Sequence, residues 1–551
     1  MAAELTPRFG RVAAGVGALA LASRIVGFGR WLVFSKTIGD TCLGDAYNAA
    51  NQLPNVLFEI AAGGILASVV VPVVSRQLAA GRRAAGDASP TASALLCWTL
   101  LVLTPVAIAA MIFSRAYAGA FVQPECSGAV QTAAALVLIF APQVWLYGIA
   151  VVGGGLLQAQ GRFVAAIAAP LASSLVVITS YLIFAAVAGA GSRDDPALLD
   201  RTALAVLGWG TTLGVAALTS VTLVPLLRSP LRLRPTLRFP PGVPRVIMAI
   251  AGASLAGLIM QQLSVVAGML TARWSAVPGA WTRAVWAGAV YLLPYAVLIN
   301  PLHQMVFPRL AAAANKGERE VARVLASVGP AICTLAGLGA GLLIAAAIPV
   351  ARLLVLGPGS GETMAVAWPI IGYAPAVIGF SLMGLATRTL FAEHRARQAG
   401  TATAVGWGTV IVAVIAVGLF VPADQVVTGI AAANSLGMLV GAVVGWVMII
   451  TSRTERIGFG LLRPCLRDLP LGLAAGALIA WPATRLTTVG SLAALLGCFA
   501  TAAGCVIIFA AALRVVDRPS LAALRRLWRA RSAGALAAGS DDDDDLVPGD
   551  R

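Results

Sequence analysis

The sequence predicts an all-α polytopic membrane protein: about fourteen transmembrane helices, forming two six-helix lobes around a central cavity plus two extra C-terminal helices. Three observations carry this expectation: the composition, the length of the apolar segments, and the alternation of basic residues between the connections. The 551 residues are 59% apolar and 11% charged, with a mean hydropathy of +0.88. Ordinary globular domains run at roughly 45–50% and about 25%. So much hydrocarbon exceeds what a soluble protein of this size can bury, so lipid must be the solvent for most of the chain. The same figures exclude a disordered chain, a disulfide scaffold and, despite a pI near 10.5, a nucleic-acid binder. The net charge of +16 has to be read against a membrane.

Each apolar segment is close to the ~20 residues that cross hydrocarbon. They cover 12–34, 45–74, 92–113, 130–156, 165–188 and 203–226, then 246–270, 281–306, 324–348, 365–390, 399–420 and 427–450, and finally 469–486 and 491–513. Barrel strands would be half as long and alternate in polarity. The first segment carries Arg24 and Arg30 and no convincing cleavage site, so it reads as a retained helix rather than a signal peptide. With a cytoplasmic N-terminus, 29 of the 39 basic residues fall on the inner side and eight on the outer side, and Arg24 and Arg30 lie inside the first helix. That asymmetry follows the positive-inside rule and puts both termini inside. The resulting organisation is a cytoplasmic N-terminus (1–11), an N-lobe (12–227), a basic cytoplasmic linker (228–245) and a C-lobe (246–451). A second basic loop (452–468), helices thirteen and fourteen (469–514) and a cytoplasmic tail (515–551) follow.

The two lobes show traces of duplication. Val70-Val71-Pro72-Val73-Val74-Ser75-Arg76 ends the second helix, and Val306-Phe307-Pro308-Arg309 ends the eighth, 236 positions later. Leu157-Gln158-Ala159-Gln160-Gly161-Arg162 and Leu390-Phe391-Ala392-Glu393-His394-Arg395 close the fourth and tenth with an offset of 233. An even helix number per lobe relates the halves by an axis along the membrane normal, a geometry used for alternating access.

Polar groups inside the membrane mark the candidate site. Arginine at depth is costly and faces a bundle interior or a wet cavity. Arg24 and Arg30 sit about 9 Å apart along the first helix, with Gly27 between them as a hinge candidate. Asp45, Asn48, Gln52, Asn55 and Glu59 fall within an ~80° window of the second helix and span about 21 Å. Such a stripe calls for water, cations or ligand groups opposite it, or for hydrogen bonds within the lobe. Pro54 removes one ladder bond from that helix and is a second hinge candidate. In the C-lobe, Asn300, His303 and Gln304 share one helical face; a lone membrane histidine there is either a titrating group or a hydrogen-bonded structural one.

The sequence has no GxxxxGK[ST] phosphate loop, no HExxH, no Cys/His cluster and no K⁺-filter motif. The expectation is a transporter rather than an enzyme, with no metal and no cofactor, driven by an ion gradient, the membrane potential or consumption of its substrate. Cys42 and Cys126 fall in outer loops, where a disulfide is conceivable; the plainer reading is two unrelated small apolar residues.

Ser23-Arg24-Ile25-Val26-Gly27-Phe28-Gly29-Arg30, Gly44-Asp45-Ala46-Tyr47-Asn48-Ala49, Leu53-Pro54-Asn55 and Val71-Pro72 resemble the N-terminal signature of the MurJ/MviN family. These are lipid II flippases of the multidrug/oligosaccharidyl-lipid/polysaccharide exporter superfamily. The resemblance covers the whole architecture, and its sharp motif occupies roughly the first eighty residues. It implies that Arg24, Arg30 and Asp45 serve the anionic headgroup and the conformational cycle and that helices thirteen and fourteen receive the polyprenyl tail; in the mechanism expected from the polar stripe, Asn48, Gln52 and Asn55 meet sugar or peptide groups. The chain departs from the family at Val56-Leu57-Phe58-Glu59, where a basic pair is usual. It also lacks an arginine within Trp286–Val290, with Arg283 nearby but out of register, and it has no aspartates for a sodium site in helices seven, eleven or twelve.

Two other functions compete: an ion-coupled exporter of small organic cations, suggested by Asp45 and Glu59, and a non-transporting scaffold for cell-wall synthesis proteins. The tail is relevant to the second, because Leu521, Leu524, Leu527 and Trp528 alternate with Arg525, Arg526 and Arg529. Such a helix suits either a protein partner or the anionic lipids of the inner leaflet. Asp541 to Asp545 form an acidic stretch expected to be disordered.

Overall fold

The computed structural model describes residues 6–60, 67–79, 82–189, 191–359, 361–452, 462–485, 490–517 and 519. The amphipathic and acidic tail of the sequence reading lies outside them. The N-terminal half contains α1 (Thr6–Thr37), α2 (Cys42–Glu59), α3 (Ala67–Ala79), α4 (Arg82–Ile112), α5 (Ser114–Phe121), α6 (Ala129–Phe140), α7 (Gln143–Ala159), α8 (Phe163–Val187) and α9 (Arg201–Leu227). The second half contains α10 (Val243–Trp274), α11 (Ala280–Pro294), α12 (Asn300–Ala314), α13 (Glu318–Leu354), α14 (Thr363–Gly372), α15 (Ala374–Ala392), α16 (Ala396–Phe420) and α17 (Val426–Thr451). Two further helices, α18 (Leu462–Arg485) and α19 (Ser491–Val516), follow. No strand occurs among the described residues; Asp40 and Gly359 form one isolated bridge.

This is a multi-pass membrane protein. Ten spans among the described residues are long and apolar enough to cross a bilayer, or eleven if the bent α6–α7 pair counts as one. The expected fourteen is not reached. The shortfall falls on the second, seventh and thirteenth segments. In the second segment residues 61–66 lie outside the described residues, and α2 has only 18 residues, which carry the polar stripe. The helix of the thirteenth, α18, carries Arg463, Arg467, Asp468 and Arg485 within 24 residues. In the seventh, α10, several N-terminal side chains lie outside the described residues.

The internal repeat is written in the backbone. Helix α7 ends with Gly161 at φ +74°, and the Arg162 amide donates to the Leu157 carbonyl at 2.8 Å. Helix α15 ends with His394 at φ +58°, and the Arg395 amide donates to the Leu390 carbonyl, also at 2.8 Å. Both are left-handed helix ends in which the chain reverses and orphan carbonyls find donors. The helices that follow, α8 and α16, each have 25 residues and start 233 positions apart. Upstream, Ala141-Pro142 divides α6 from α7, which meet at 42°, and Ala374-Pro375, again 233 later, lies where α14 gives way to α15. Proline's missing N–H explains both breaks.

Helices α1–α9 and α10–α17 pack mainly within their own halves. At one end a single apolar core runs through both: Phe34 meets Tyr47, Tyr181 and Trp286 with ring centroids 5.4–6.4 Å apart. Helix α18 lies along α13 in backbone contact. Gly337 and Gly341 face Asp468, Gly472 and Gly476 so closely that a Cβ at Gly472 would stand 2.1 Å from the Gly337 carbonyl oxygen. Small residues four apart permit this approach in lipid, where packing rather than hydrophobicity joins helices. Asp468, fully buried, accepts from the Thr334 hydroxyl at 2.5 Å across the same contact, and Cys333 is bonded to Cys465 there.

Candidate functional site

The lobes meet in a polar seam built on the turn between α1 and α2. Gly39 adopts φ +79°, which turns the chain so that Asp40 points across to the other half. There the Arg283 Nε, one turn into α11, donates to Asp40 Oδ2 at 2.7 Å, with side-chain exposures of 9% and 1%. Five residues on, Asp45 Oδ1 accepts from both the Thr282 amide and the Thr282 hydroxyl at 2.8 Å. The Asn48 amide donates to the same hydroxyl at 3.1 Å. Glycines let the backbones touch: a Cβ at Gly279 would stand 2.1 Å from the Asp40 carbonyl oxygen. A second patch extends the seam. The Gln123 side chain donates to the Val277 carbonyl at 2.7 Å, and Arg273 Nε donates to the Val122 carbonyl at 3.1 Å. Within the N-lobe, Arg193 braces the turn by donating to the Thr37 carbonyl at 2.6 Å. Cys42 and Cys126 are disulfide-bonded beside the seam, with Cα atoms 5.7 Å apart; the plainer reading of two unrelated residues does not hold.

The polar stripe of α2 is thereby divided. Asp45 and Asn48 are buried in the seam, so in this conformation they bind the opposite lobe and not a ligand. Gln52 and Asn55 are half-buried and Glu59 is exposed. Asn55 accepts from the Tyr147 hydroxyl at 3.3 Å, which is the within-lobe hydrogen bond foreseen as the alternative for this stripe. Arg24 is exposed and Arg30 half-exposed on a stretch of α1 where Gly27 and Gly29 face open space. Arg30 stacks over Trp31 at 5.3 Å, and its charge acts on the hydroxyls of Tyr47, Tyr147 and Tyr181, so it looks into the N-lobe. Gly27 and Pro54, the hinge candidates, lie within unbroken helices in this conformation; the departures from α-helix occur at Ala141–Pro142, Tyr295–Ile299 and Tyr373.

The C-lobe face expected from Asn300, His303 and Gln304 is not uniform. His303 is fully buried, while Gln304 is exposed and Asn300 half-buried. The π-turn Tyr295–Ile299 brings the Tyr295 hydroxyl within 3.4 Å of His303 Nδ1. Helix α15 approaches so closely that a Cβ at Gly384 would stand 2.8 Å from His303 Cε1. Arg388, one turn on, donates to the Gly384 carbonyl at 3.0 Å and acts electrostatically on both Tyr295 and His303. Sequence reading missed Arg388 because it lies near a helix end, where arginine normally snorkels. It also missed Asp40 and Thr282, which have no periodic signal, and took Arg283 as merely out of register. Among the described residues no group of three or more His, Cys, Asp or Glu could hold a metal ion.

Comparison with known proteins places this geometry. The probable lipid II flippase MurJ of Rhizobium meliloti (strain 1021) is 26% identical over 554 residues, covering 96% of this chain and 98% of the relative. The lipid II flippase MurJ of Burkholderia cenocepacia is 24% identical over 513 residues, covering 90% and 94%. Among solved structures, a lipid II flippase MurJ in an inward closed conformation superposes with a TM-score of 0.70 at 15% identity, over 91% of this chain and 99% of that one. An inward-facing multidrug resistance MATE family transporter of the MOP superfamily gives 0.56 at 14% identity, over 81% and 94%. The family profile described as "Lipid II flippase MurJ" matches residues 34–497, which include the whole seam, and the chain belongs to that family.

Proposed function

We propose that this protein moves lipid II from the inner to the outer leaflet by alternating access, and that the polar seam is its outer gate. The observation that carries the reading is the contrast along one membrane axis. Asp40, Asp45 and Asn48 are bound to Arg283 and Thr282 at one end, while further along the same helices Arg24 and Glu59 are exposed and Arg30 and Gln52 partly so. The bias of basic residues puts the seam on the outer side and both termini in the cytoplasm. The pyrophosphate enters from the inner leaflet toward Arg24 and Arg30, whose guanidinium groups can take phosphate oxygens bidentately. Gln52, Asn55 and Glu59 meet the sugar and peptide groups, and the polyprenyl chain stays in lipid beside the exposed Leu478, Trp481 and Phe499 of α18 and α19. Breaking the seam then opens the headgroup cavity outward. The drive is the membrane potential, an ion gradient or consumption of lipid II outside. Export of small cations is less well supported, because the Asp45 carboxylate is already engaged by Thr282.

The test is complementation of cells depleted of their own flippase, with lipid II measured on each leaflet. Arg24→Ala and Arg30→Ala should leave lipid II on the inner leaflet at normal protein levels. Normal outer-leaflet lipid II with both variants would overturn the assignment.

A further inference from the structure

The connection between the lobes, residues 228–242, is an extended strap with a two-residue period. Leu231 is buried and Leu233 half-buried against Val70, Val74, Ala92, Leu95 and Leu226 of the N-lobe, whereas Arg232, Arg234 and Arg238 are exposed. It is pinned along α4. The Arg232 amide donates to Ser89 Oγ at 3.1 Å, the Arg234 amide to Ser93 Oγ at 3.0 Å, and the Trp98 indole to the Leu237 carbonyl at 2.9 Å. The strap from Arg228 to Arg245 contains five arginines and no acidic residue. Beside it lies an open cavity of about 610 Å³, lined by Cys97, Leu100, Leu101 and Thr104 of α4 and by Pro235–Arg238 of the strap.

The cavity is graded in depth. A half-exposed tryptophan with its N–H bonded is typical of the headgroup level of a bilayer. Leu101 and Thr104 lie about 4.5 and 9 Å further along the helix, under that level among acyl chains. Arg238 borders the cavity at its polar end, and Arg234 stands four residues earlier, outside the cavity lining, on the same exposed edge. The volume is that of a site for one small amphiphile.

We propose that α4 and the strap bind one anionic phospholipid of the inner leaflet: Arg234 and Arg238 take its phosphodiester, and a chain lies against Leu101 and Thr104. The bound lipid fastens the linker to the N-lobe, so the hinge between the lobes begins beyond it, at α10. Charge complementarity selects this occupant, since a zwitterionic lipid has its own cation to place among the arginines.

The test uses the full chain, purified with defined lipid and examined by native mass spectrometry with phosphatidylglycerol and phosphatidylcholine as probes. The protein should retain phosphatidylglycerol in preference, and Arg234→Gln/Arg238→Gln should reduce retention at least tenfold. Arg309→Gln/Arg397→Gln, which removes the same charge from exposed sites elsewhere, should leave it unchanged. Leu101→Trp, which fills the cavity without altering charge, should also displace the lipid. Equal losses in both arginine pairs, retention by Leu101→Trp, or displacement of phosphatidylglycerol by undecaprenyl pyrophosphate in preference to other lipids would overturn the proposal. None of these readouts depends on transport, so they stand or fall apart from the flippase reading.

Discussion

Asp40 and Arg283 are nearly dry charges on opposite lobes, 2.7 Å apart, and each loses a buried partner when the other is removed. Removing one member of a buried pair typically costs about 3–5 kcal/mol, because the remaining charge is stranded. Arg283→Gln should therefore weaken the closed seam by that order and expose its residues. A cysteine placed at Thr282 should then react faster with an impermeant maleimide added from outside, and Asp40→Asn combined with Arg283→Gln should recover part of the closure. Unchanged labelling in the single variant would mean the pair does not hold the gate. Asp45 and Asn48 behave differently. They share one hydroxyl, so Thr282→Val should loosen both at once, by about 1–3 kcal/mol for the donors and acceptors left unsatisfied. The sequence showed the stripe that contains them, since periodicity alone reveals a shared helical face. It could not show that Asp45 and Asn48 are bound across the lobes while Gln52 and Asn55 are not, because that depends on which residues of α11 lie opposite.

At the scale of elements, the helix ends are the most informative feature. The motifs Leu157–Arg162 and Leu390–Arg395 were legible as a weak sequence echo, and they prove to be equivalent left-handed helix ends. One has glycine at the left-handed position and the other has His394, which incurs a steric cost there of about 1–2 kcal/mol. His394→Gly should raise the thermal unfolding temperature of the detergent-solubilised protein, whereas Gly161→His should lower it. The contact of α18 with α13 depends on the absence of side chains. Gly472→Val would drive a branched side chain into the Gly337 backbone and should detach α18, read as increased proteolysis of the 453–490 region. Asp200 caps α9 by accepting from the Thr202 amide at 2.9 Å, and hydrogen bonds from the Thr202 side chain and amide hold its carboxyl below the usual carboxylate range. Its folded value is therefore lower than its unfolded one. The cap contributes above the ordinary carboxylate pKa and is lost as pH falls through the lowered value. Asp200→Ala should lower the unfolding temperature at pH 7 and converge with the parent as acid protonates the cap.

For the whole molecule, composition and segment length were enough to identify a helical membrane protein, because lipid imposes both on any chain that crosses it repeatedly. The number of spans was less legible. The break at Ala141-Pro142, the polar stripe of α2 and the charges of α18 arise where helices trade continuity or apolar character for contacts within the bundle. The interlobe seam was almost illegible, since Asp40, Thr282 and Arg283 lie up to 243 positions apart and become neighbours only when two duplicated halves close on each other. The same closure accounts for the conformation, shut at the seam with Arg24 exposed and Arg30 partly so. A cycle of opening and closing there is the central claim. Its most direct measurement is outer-leaflet lipid II in cells whose sole flippase is the Asn48→Cys/Thr282→Cys variant. Oxidation should tie the lobes together and halt the appearance of lipid II outside, and reduction should restore it. Delivery at the parent rate by the cross-linked protein would contradict the account.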